Sequence, residues 1–430
     1  MYNFLTWCLQ PLVRLRLAQR ARKESVYAQH IGERFGQYQQ AAAPGAVWVH
    51  AVSLGETRAA AILIAQLRQD IPGMRLLLTH STATGRAEGA HLLQPGDVQV
   101  WLPWDTRGAT QRFIQHFRPR IGIVMETEVW PQLCATARAA GVPLLLANAR
   151  LSEASLRKAQ RIAWLARPAY ASFARVCAQT EADAQRLRSL GAPQVQVMGN
   201  LKFDAQPDAA QLAQGQAWRA ASGRPVVMLA SSREGEEQQF LEVIRAVVQL
   251  NTAQAAIKLE AEAVPVNVQW LIVPRHPQRF DEVAALISQA GFSVSRRSQW
   301  GSTLASQPMA AQVWLGDSLS EMALYYGLAD CALLGGSYAE LGGQNLIEAI
   351  AAGCPMVMGP HTFNFADAAT TAVEQGAAER VESMQQGVAT AVQLTTRAAA
   401  HQAMQSAGGR WLAESRGATQ RMALAVQQLL

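Results

Sequence analysis

The sequence is poor in charge, poor in cysteine and without any long apolar run. Of 430 residues, 16% are Asp, Glu, Lys or Arg and 50% are hydrophobic. So little charge on so apolar a chain excludes intrinsic disorder over its bulk. No apolar stretch reaches the roughly 20 residues a spanning helix needs, which excludes a polytopic membrane protein. Cysteines stand only at positions 8, 134, 177, 331 and 354, with no C-x-x-C pair. That excludes a zinc ribbon and a disulfide scaffold and points to a reducing compartment. Acidic residues are outnumbered, 32 against 38 Lys plus Arg, for a formal charge of +6. The excess is too small and diffuse to argue for nucleic acid, but it suits an anionic small molecule or an anionic membrane surface. At about 100–200 residues per domain, the length argues for two or three domains.

Residues 1–13, MYNFLTWCLQPLV, carry no charged side chain, and Arg14, Arg16, Arg20, Arg22 and Lys23 follow before the first acid, Glu24. A signal peptide has the opposite order, with its basic residues first. Phe4, Leu5, Cys8, Leu12 and Leu15 recur at helical spacing, and Tyr2 and Trp7 are aromatics suited to an interface. The pattern predicts a membrane-associating helix over residues 1–23, lying on or dipping into a lipid surface with its arginines on anionic headgroups. Its basic flank would keep this end on the cytoplasmic side. A helix packed on its own domain is the competing reading.

From residue 24 onward, short apolar runs alternate with longer amphipathic ones. Strands are expected at 46–51, 75–79, 98–102, 121–125, 143–147, 175–178 and 195–198, with helices between them, among them 57–69, 111–117 and 131–140. This β-α-β rhythm predicts a doubly wound parallel sheet. Phe203–Gly223, with Pro207, Gly215 and Gly223, reads as a linker with a helical piece. The rhythm restarts with strands at 225–230, 270–273, 312–315, 331–334 and 355–358. Asn251–Gln269 reads as a surface insertion, and 398–430 as helical. The expectation is two Rossmann-like domains, 24–210 and 211–430, facing a central cleft.

Ligands of open α/β sheets bind beyond the carboxyl ends of the strands, so the residues after each strand carry the functional argument. Ser53-Leu54-Gly55-Glu56 follows the first strand. Glu56 is either a general base for a hydroxyl nucleophile or the acid of a capping box that begins at Ser53. Glu126-Thr127-Glu128 leaves the fourth strand ahead of Pro131, a residue suited to the first turn of a helix. Glu126, nearest the strand end, is the better candidate for the cleft. Lys202 follows the last strand of the first half and could neutralise an anion, although a surface Lys is the common alternative. Ser231 to Glu237 opens a helix after a strand, where backbone N–H groups suit an anion. Arg275 and His276, stiffened by Pro274 and Pro277, suit a phosphate or a nucleotide. Leu319, Ser320 and Glu321 lie in a further loop after a strand. The richest segment runs from Gly335-Gly336-Ser337 through Gly342-Gly343 to Asn345-Leu346-Ile347-Glu348. Its glycines let a ligand approach the backbone, Asn345 begins a helix, and Glu348 can accept ribose hydroxyls.

The Gly-Gly-x-Asn-x-x-Glu helix resembles the nucleotide site of GT-B glycosyltransferases. The ordered set is more specific. Ser53–Glu56, Glu126–Pro131, Ala147–Ser152, Leu201–Asp204, Pro274–Pro277, Gly343–Glu348 and Gly359–Phe365 together resemble the 3-deoxy-D-manno-octulosonic acid (Kdo) transferases of lipopolysaccharide assembly. Gly32-Glu33-Arg34-Phe35-Gly36 does so too. The resemblance implies the GT-B fold and inverting transfer of Kdo from CMP-β-Kdo to the lipid A precursor lipid IV-A at the cytoplasmic face of the inner membrane, with no metal or cofactor. It implies Glu56 as general base and Glu126 and Lys202 as transition-state stabilisers. It also implies that Arg275, His276, Leu319, Ser320, Glu321, Asn345, Leu346, Ile347 and Glu348 bind CMP. Ser231, Gly336 and Ser337 are expected phosphate contacts from their positions. The sequence has no Asp-x-Asp metal motif. Asn251–Gln269 is longer than the family pattern. A GT-B transferase or epimerase acting on a UDP- or GDP-sugar is the alternative, and a non-enzymatic nucleotide- or lipid-binding protein is the alternative outside enzymes.

Overall fold

The computed structural model describes residues 2, 6, 8–42, 44–256, 267–301 and 310–430. The chain divides into two compact units, Met1–Asp204 with Ser415–Leu430, and Ala205–Glu414.

The first unit is built on seven parallel strands: β1 (Val47–His50), β2 (Leu76–His80), β3 (Val98–Trp101), β4 (Ile121–Met125), β5 (Leu144–Ala149), β6 (Arg175–Ala178) and β7 (Val195–Val197). Their order is β3-β2-β1-β4-β5-β6-β7. The strands read as unbroken apolar runs because helices cover both faces of such a sheet. Alternate residues feed two cores. Trp48, Leu144 and Leu146 pack with Phe113, Phe117 and Leu133 on one side. Val47, Val49 and Leu145 pack with Leu63, Ile64 and Leu67 on the other.

The second unit has β8 (Val226–Ser232), β9 (Gln269–Pro274), β10 (Val294–Arg296), β11 (Val313–Leu315), β12 (Cys331–Leu334), β13 (Met356–Met358) and β14 (Ala378–Arg380). Their order is β10-β11-β9-β8-β12-β13-β14, and every pairing is parallel. Both edge strands, β10 and β14, escape the sequence reading. Val-Ser-Arg and Ala-Glu-Arg have no apolar run, and only pairing with β11 and β13 makes them strands.

Three boundaries differ from expectation. The division falls after Asp204 rather than at 210/211, because helix Ala209–Ser222, capped by the Asp208 side chain, belongs to the second unit. The last helix, Ala418–Gln427, returns to the first unit: Met422, Ala423, Ala425 and Val426 join its core. The backbone N–H groups of Gly417 and Thr419 donate to the Asp204 carboxylate, each at 2.6 Å. Helix Glu236–Ala256 occupies the start of the expected insertion, and 257–266 lie outside the described residues.

Helix Gln10–Lys23 buries Leu17 against Tyr27, Ala83 and Trp101. Its guanidinium at Arg14 stacks 4.5 Å from the Phe35 ring centroid. The packed reading of this helix therefore holds for one face. Its other side leaves Leu12 and Leu15 each 57% exposed. Phe4, Leu5 and Trp7 lie outside the described residues. Among the described residues, no helix is long and apolar enough to cross a membrane.

Candidate active site

The loop after β1 turns into helix Leu54–Asp70 at Ser53. The Glu56 N–H donates to Ser53 Oγ at 3.4 Å, and the same hydroxyl donates to Glu56 Oε1 at 3.0 Å. The Val52 N–H donates to Glu56 Oε2 at 2.9 Å. Glu56 therefore closes a variant of the capping box, in which its carboxylate takes the Val52 N–H, one residue before the N-cap, in place of that of Ser53. It is also a strongly perturbed acid: burial, opposed by the Val52 bond and aided by the charges of Glu126 and Glu128, pushes its carboxyl up to about 7. The two readings coexist, because one backbone donor and one hydroxyl leave each carboxylate oxygen with a free lone pair.

Glu126 leaves β4 in the left-handed region, φ 54°. A non-glycine residue held there is strained, and such strain clusters at functional sites. Its buried carboxylate accepts from Arg150 Nε at 2.9 Å and lies 4.0 Å from Lys202 Nζ. Neighbouring Glu128 accepts from Trp130 Nε1 at 3.1 Å, and its carboxyl is raised by burial. Lys202 reaches Glu126 because Asn148 anchors its loop. Asn148, fully buried and at φ 52°, sits where β5 and β6 slip register. Its Oδ1 accepts the Leu201 N–H at 3.0 Å. Arg150 is the nearer cation and was not among the candidates. Its signal was its place one residue past β5. The fold thus gathers Glu56, Glu126, Glu128, Arg150 and Lys202 from loops after β1, β4, β5 and β7 in one unit.

In the second unit, Ser231 occupies a second slip in register, between β8 and β9, at φ 56°. Its carbonyl lies where a side chain on Gly335 would fall: a Cβ there would sit 2.3 Å from it. Glycine lets these two loops touch. Glu236 then ties them together. Its fully buried carboxylate accepts N–H groups from Gly336 at 2.7 Å, Arg233 at 3.0 Å, Tyr338 at 3.0 Å and Ala339 at 3.3 Å. The groups expected to meet a phosphate at Gly336 and Ser337 have partners within the chain in this structure. The Gly336 N–H is already taken by Glu236. The buried Ser337 hydroxyl donates to the Leu334 carbonyl and accepts the Gly359 N–H at 2.8 Å.

Arg275 follows β9; its Nε donates to Gln344 Oε1 at 3.1 Å, which joins two of the expected CMP loops. The His276 pKa is lowered, first by burial and then by Arg233 and Arg275, so the ring favours its neutral form. Leu319 is 65% exposed, and Ser320 has φ 61°. Glu321 pairs with Arg297 at 2.8 Å and accepts the Ser318 hydroxyl. Asn345 caps helix Leu346–Ala351 through Oδ1 to the Ile347 N–H at 3.2 Å, while its Nδ2 donates to Glu348 Oε1 at 2.9 Å. The Leu346 and Ile347 side chains are in the core, so these positions serve a ligand only through the backbone. Among the described residues, no group of three or more His, Cys, Asp or Glu is placed to hold a metal ion.

Two α/β units, each with a seven-stranded parallel sheet and polar loops at the strand ends, define a fold of the GT-B type. The fold is similar to that of a glycosyltransferase from Rickettsia africae, 12% identical, with a TM-score of 0.55 over 90% of this chain and 98% of that one. Residues 29–205 match the family described as 3-deoxy-D-manno-octulosonic-acid transferase (kdotransferase). The 3-deoxy-D-manno-octulosonic acid transferase of Bordetella pertussis is 46% identical over 98% of this chain and 97% of its own. That of Haemophilus influenzae is 32% identical over 98% and 96%. The chain belongs to the 3-deoxy-D-manno-octulosonic acid transferase family.

Proposed function

We propose that this glycosyltransferase moves Kdo from CMP-β-Kdo to a hydroxyl of lipid IV-A, with inversion and without a metal or other cofactor. The observation that carries the reading is Glu56: a carboxyl pushed up to about 7 on the loop after β1, near Glu126 and Glu128. A base works best when its pKa lies near the operating pH. In this reading Glu56 takes the proton of the acceptor hydroxyl as oxygen attacks the anomeric carbon. The glycosidic bond to CMP breaks as the new one forms, and its electron pair leaves on the phosphate. Lys202 and Arg150 beside Glu126 stabilise developing charge around the acceptor. Arg275, with Arg233 and neutral His276 close by, suits the departing phosphate, and fixed cations of this kind can replace a metal in that role. Glu348 suits ribose hydroxyls.

The setting that goes with this chemistry is the cytoplasmic face of a bacterial inner membrane, with the exposed Leu12 and Leu15 and the arginines of the N-terminal helix on anionic lipid. One incubation tests the core of the reading: CMP-Kdo and lipid IV-A with the full chain, in the presence of a metal chelator, the products weighed by mass spectrometry. A Kdo increment on the lipid is expected. No increment, or binding of UDP in preference to CMP by calorimetry, overturns the donor assignment. Removal of residues 1–23 is expected to release the protein from anionic vesicles, and unchanged co-sedimentation would refute the membrane contact.

A further inference from the structure

The helix that follows the Glu126 loop, Pro131–Ala139, packs beside helix Ala163–Tyr170. Between them runs a groove of about 680 Å³. Its walls are mostly apolar: Pro131, Ala135, Ala139, Trp164, Leu165 and Pro168 line it, with Gln132, Arg138 and Ser172 as polar members. Trp164 is 57% exposed, and the adjacent Ile162 is 48% exposed. Large apolar side chains left in solvent next to a groove mark a binding surface, and the volume lies within the range of small-molecule sites. Arg138 lines the groove and is exposed, and the neighbouring helices carry exposed Lys158, Arg161 and Arg167. Glu153, paired with Arg157 at 3.6 Å, is the acid of that helical pair.

Two features tie the groove to the site. One end is Pro131, the first residue past the Glu126–Trp130 loop. Asp105 caps that end, accepting N–H groups from Gln132 at 3.0 Å and Leu133 at 2.8 Å. Asp105 also accepts the hydroxyl of Tyr2, which itself lines the groove. The segment read as membrane-associating is thereby fastened at the groove's head.

We propose that this groove holds a fatty-acyl chain of the acceptor, with Arg138 set for the acceptor's anionic groups. The proposal rests on the reading above that the acceptor is an acylated lipid. An acyl chain matches the long apolar floor, and a helix of this length offers it about 13 Å of wall. Held there, the chain would leave the saccharide near the Glu126 loop.

Ala135 is solvent-facing and Trp164 largely so, so Ala135→Trp and Trp164→Glu alter the groove without disturbing the core. Two readouts are taken: binding of a dansylated dodecanoyl probe, and KM for lipid IV-A against its fully deacylated disaccharide. Both variants are expected to weaken the probe and raise the lipid IV-A KM by about tenfold or more, since several buried methylenes are lost. The KM for CMP-Kdo and turnover on the deacylated acceptor should stay at parent values. Probe affinity and lipid IV-A KM within about twofold of the parent overturn the proposal. So does loss of vesicle binding with an unchanged KM, which would make the groove a contact with bulk membrane, or loss of a dimer in Ala135→Trp, which would make it a contact between copies. A parent chain whose groove variants lose the probe, yet which transfers no Kdo, refutes the proposed reaction and leaves the acyl site standing.

Discussion

Each sheet opens alike: an interior strand, β1 or β8, a three-residue loop, and a long helix with a glutamate in its first turn. Glu56 and Glu236 are those glutamates, and burial raises the pKa of both. Their partners set them apart. Glu236 accepts from backbone N–H groups at Arg233, Gly336, Tyr338 and Ala339, so its lone pairs are engaged and its task is to bind one loop to another. Glu56 accepts from Val52 N–H and the Ser53 hydroxyl and has two more carboxylates close by. A carboxylate with many donors is architectural; one with few donors and like charges nearby is poised to take a proton.

The sharpest break of this comparison is Glu56→Gln. Loss of a general base is expected to lower kcat by about 10²–10⁴-fold, with CMP binding by calorimetry unchanged. Near-parent turnover would reduce Glu56 to a cap. Next come Lys202→Ala and Glu126→Gln, expected to lower kcat by about 10²–10³-fold with little effect on donor affinity. A change confined to KM would make this cluster a binding feature.

Glu236→Ala should act on stability and on donor binding together. Stranding buried N–H groups is expected to remove about 2–3 kcal/mol in urea unfolding, and to weaken CMP as the loop after β12 loosens. Glu236→Gln, which retains one acceptor oxygen, should fall between. Unchanged CMP affinity in a destabilised Glu236→Ala protein would separate that loop from the donor site.

The smallest effect is in pH dependence. With its folded pKa raised from about 4.5 to about 7, Glu56 binds its proton more tightly folded than unfolded. Stability attributable to it is therefore highest below the unfolded pKa and declines as pH rises from about 4.5 through 7. Glu56→Gln should melt at a higher temperature than the parent at pH 8 and match it at pH 4. The kcat/KM of the parent should rise with pH through a limb near 7 as the base ionises. A parent profile flat between pH 6 and 8 would contradict this role.

Much of the architecture was legible in the sequence. Strands such as 121–125, 175–178 and 331–334 coincide with the observed ones, because a buried parallel strand must be apolar on both faces. Glu56, Glu126 and Lys202 were legible because each directly follows or closes a strand-end motif. Arg150 was missed because its role depends on β5 lying beside β4, a fact of sheet order. The partners of Gly336 and Ser337 within the chain were not legible, because glycine-rich loops look alike whether they hold a phosphate or a carboxylate from the same chain. Glu236, at the start of the helix after β8, accepts the Gly336 N–H, and the Ser337 N–H meets the Leu334 carbonyl.

The sequence by itself determined the two parallel-sheet units, the strand-end loops that carry the polar residues, and the ordered motifs of the Kdo transferase family. These follow from local periodicity and residue type. Tertiary structure alone decided that the last helix rejoins the first unit, that Arg150 pairs with Glu126, and that Glu236 fills the nest at Gly336. It also decided that a largely apolar groove, lined also by Arg138, opens beside the Glu126 loop. Each of these brings together residues distant in sequence, and the free energy that selects them, burial of apolar area and satisfaction of buried polar groups, exists only once the chain has packed.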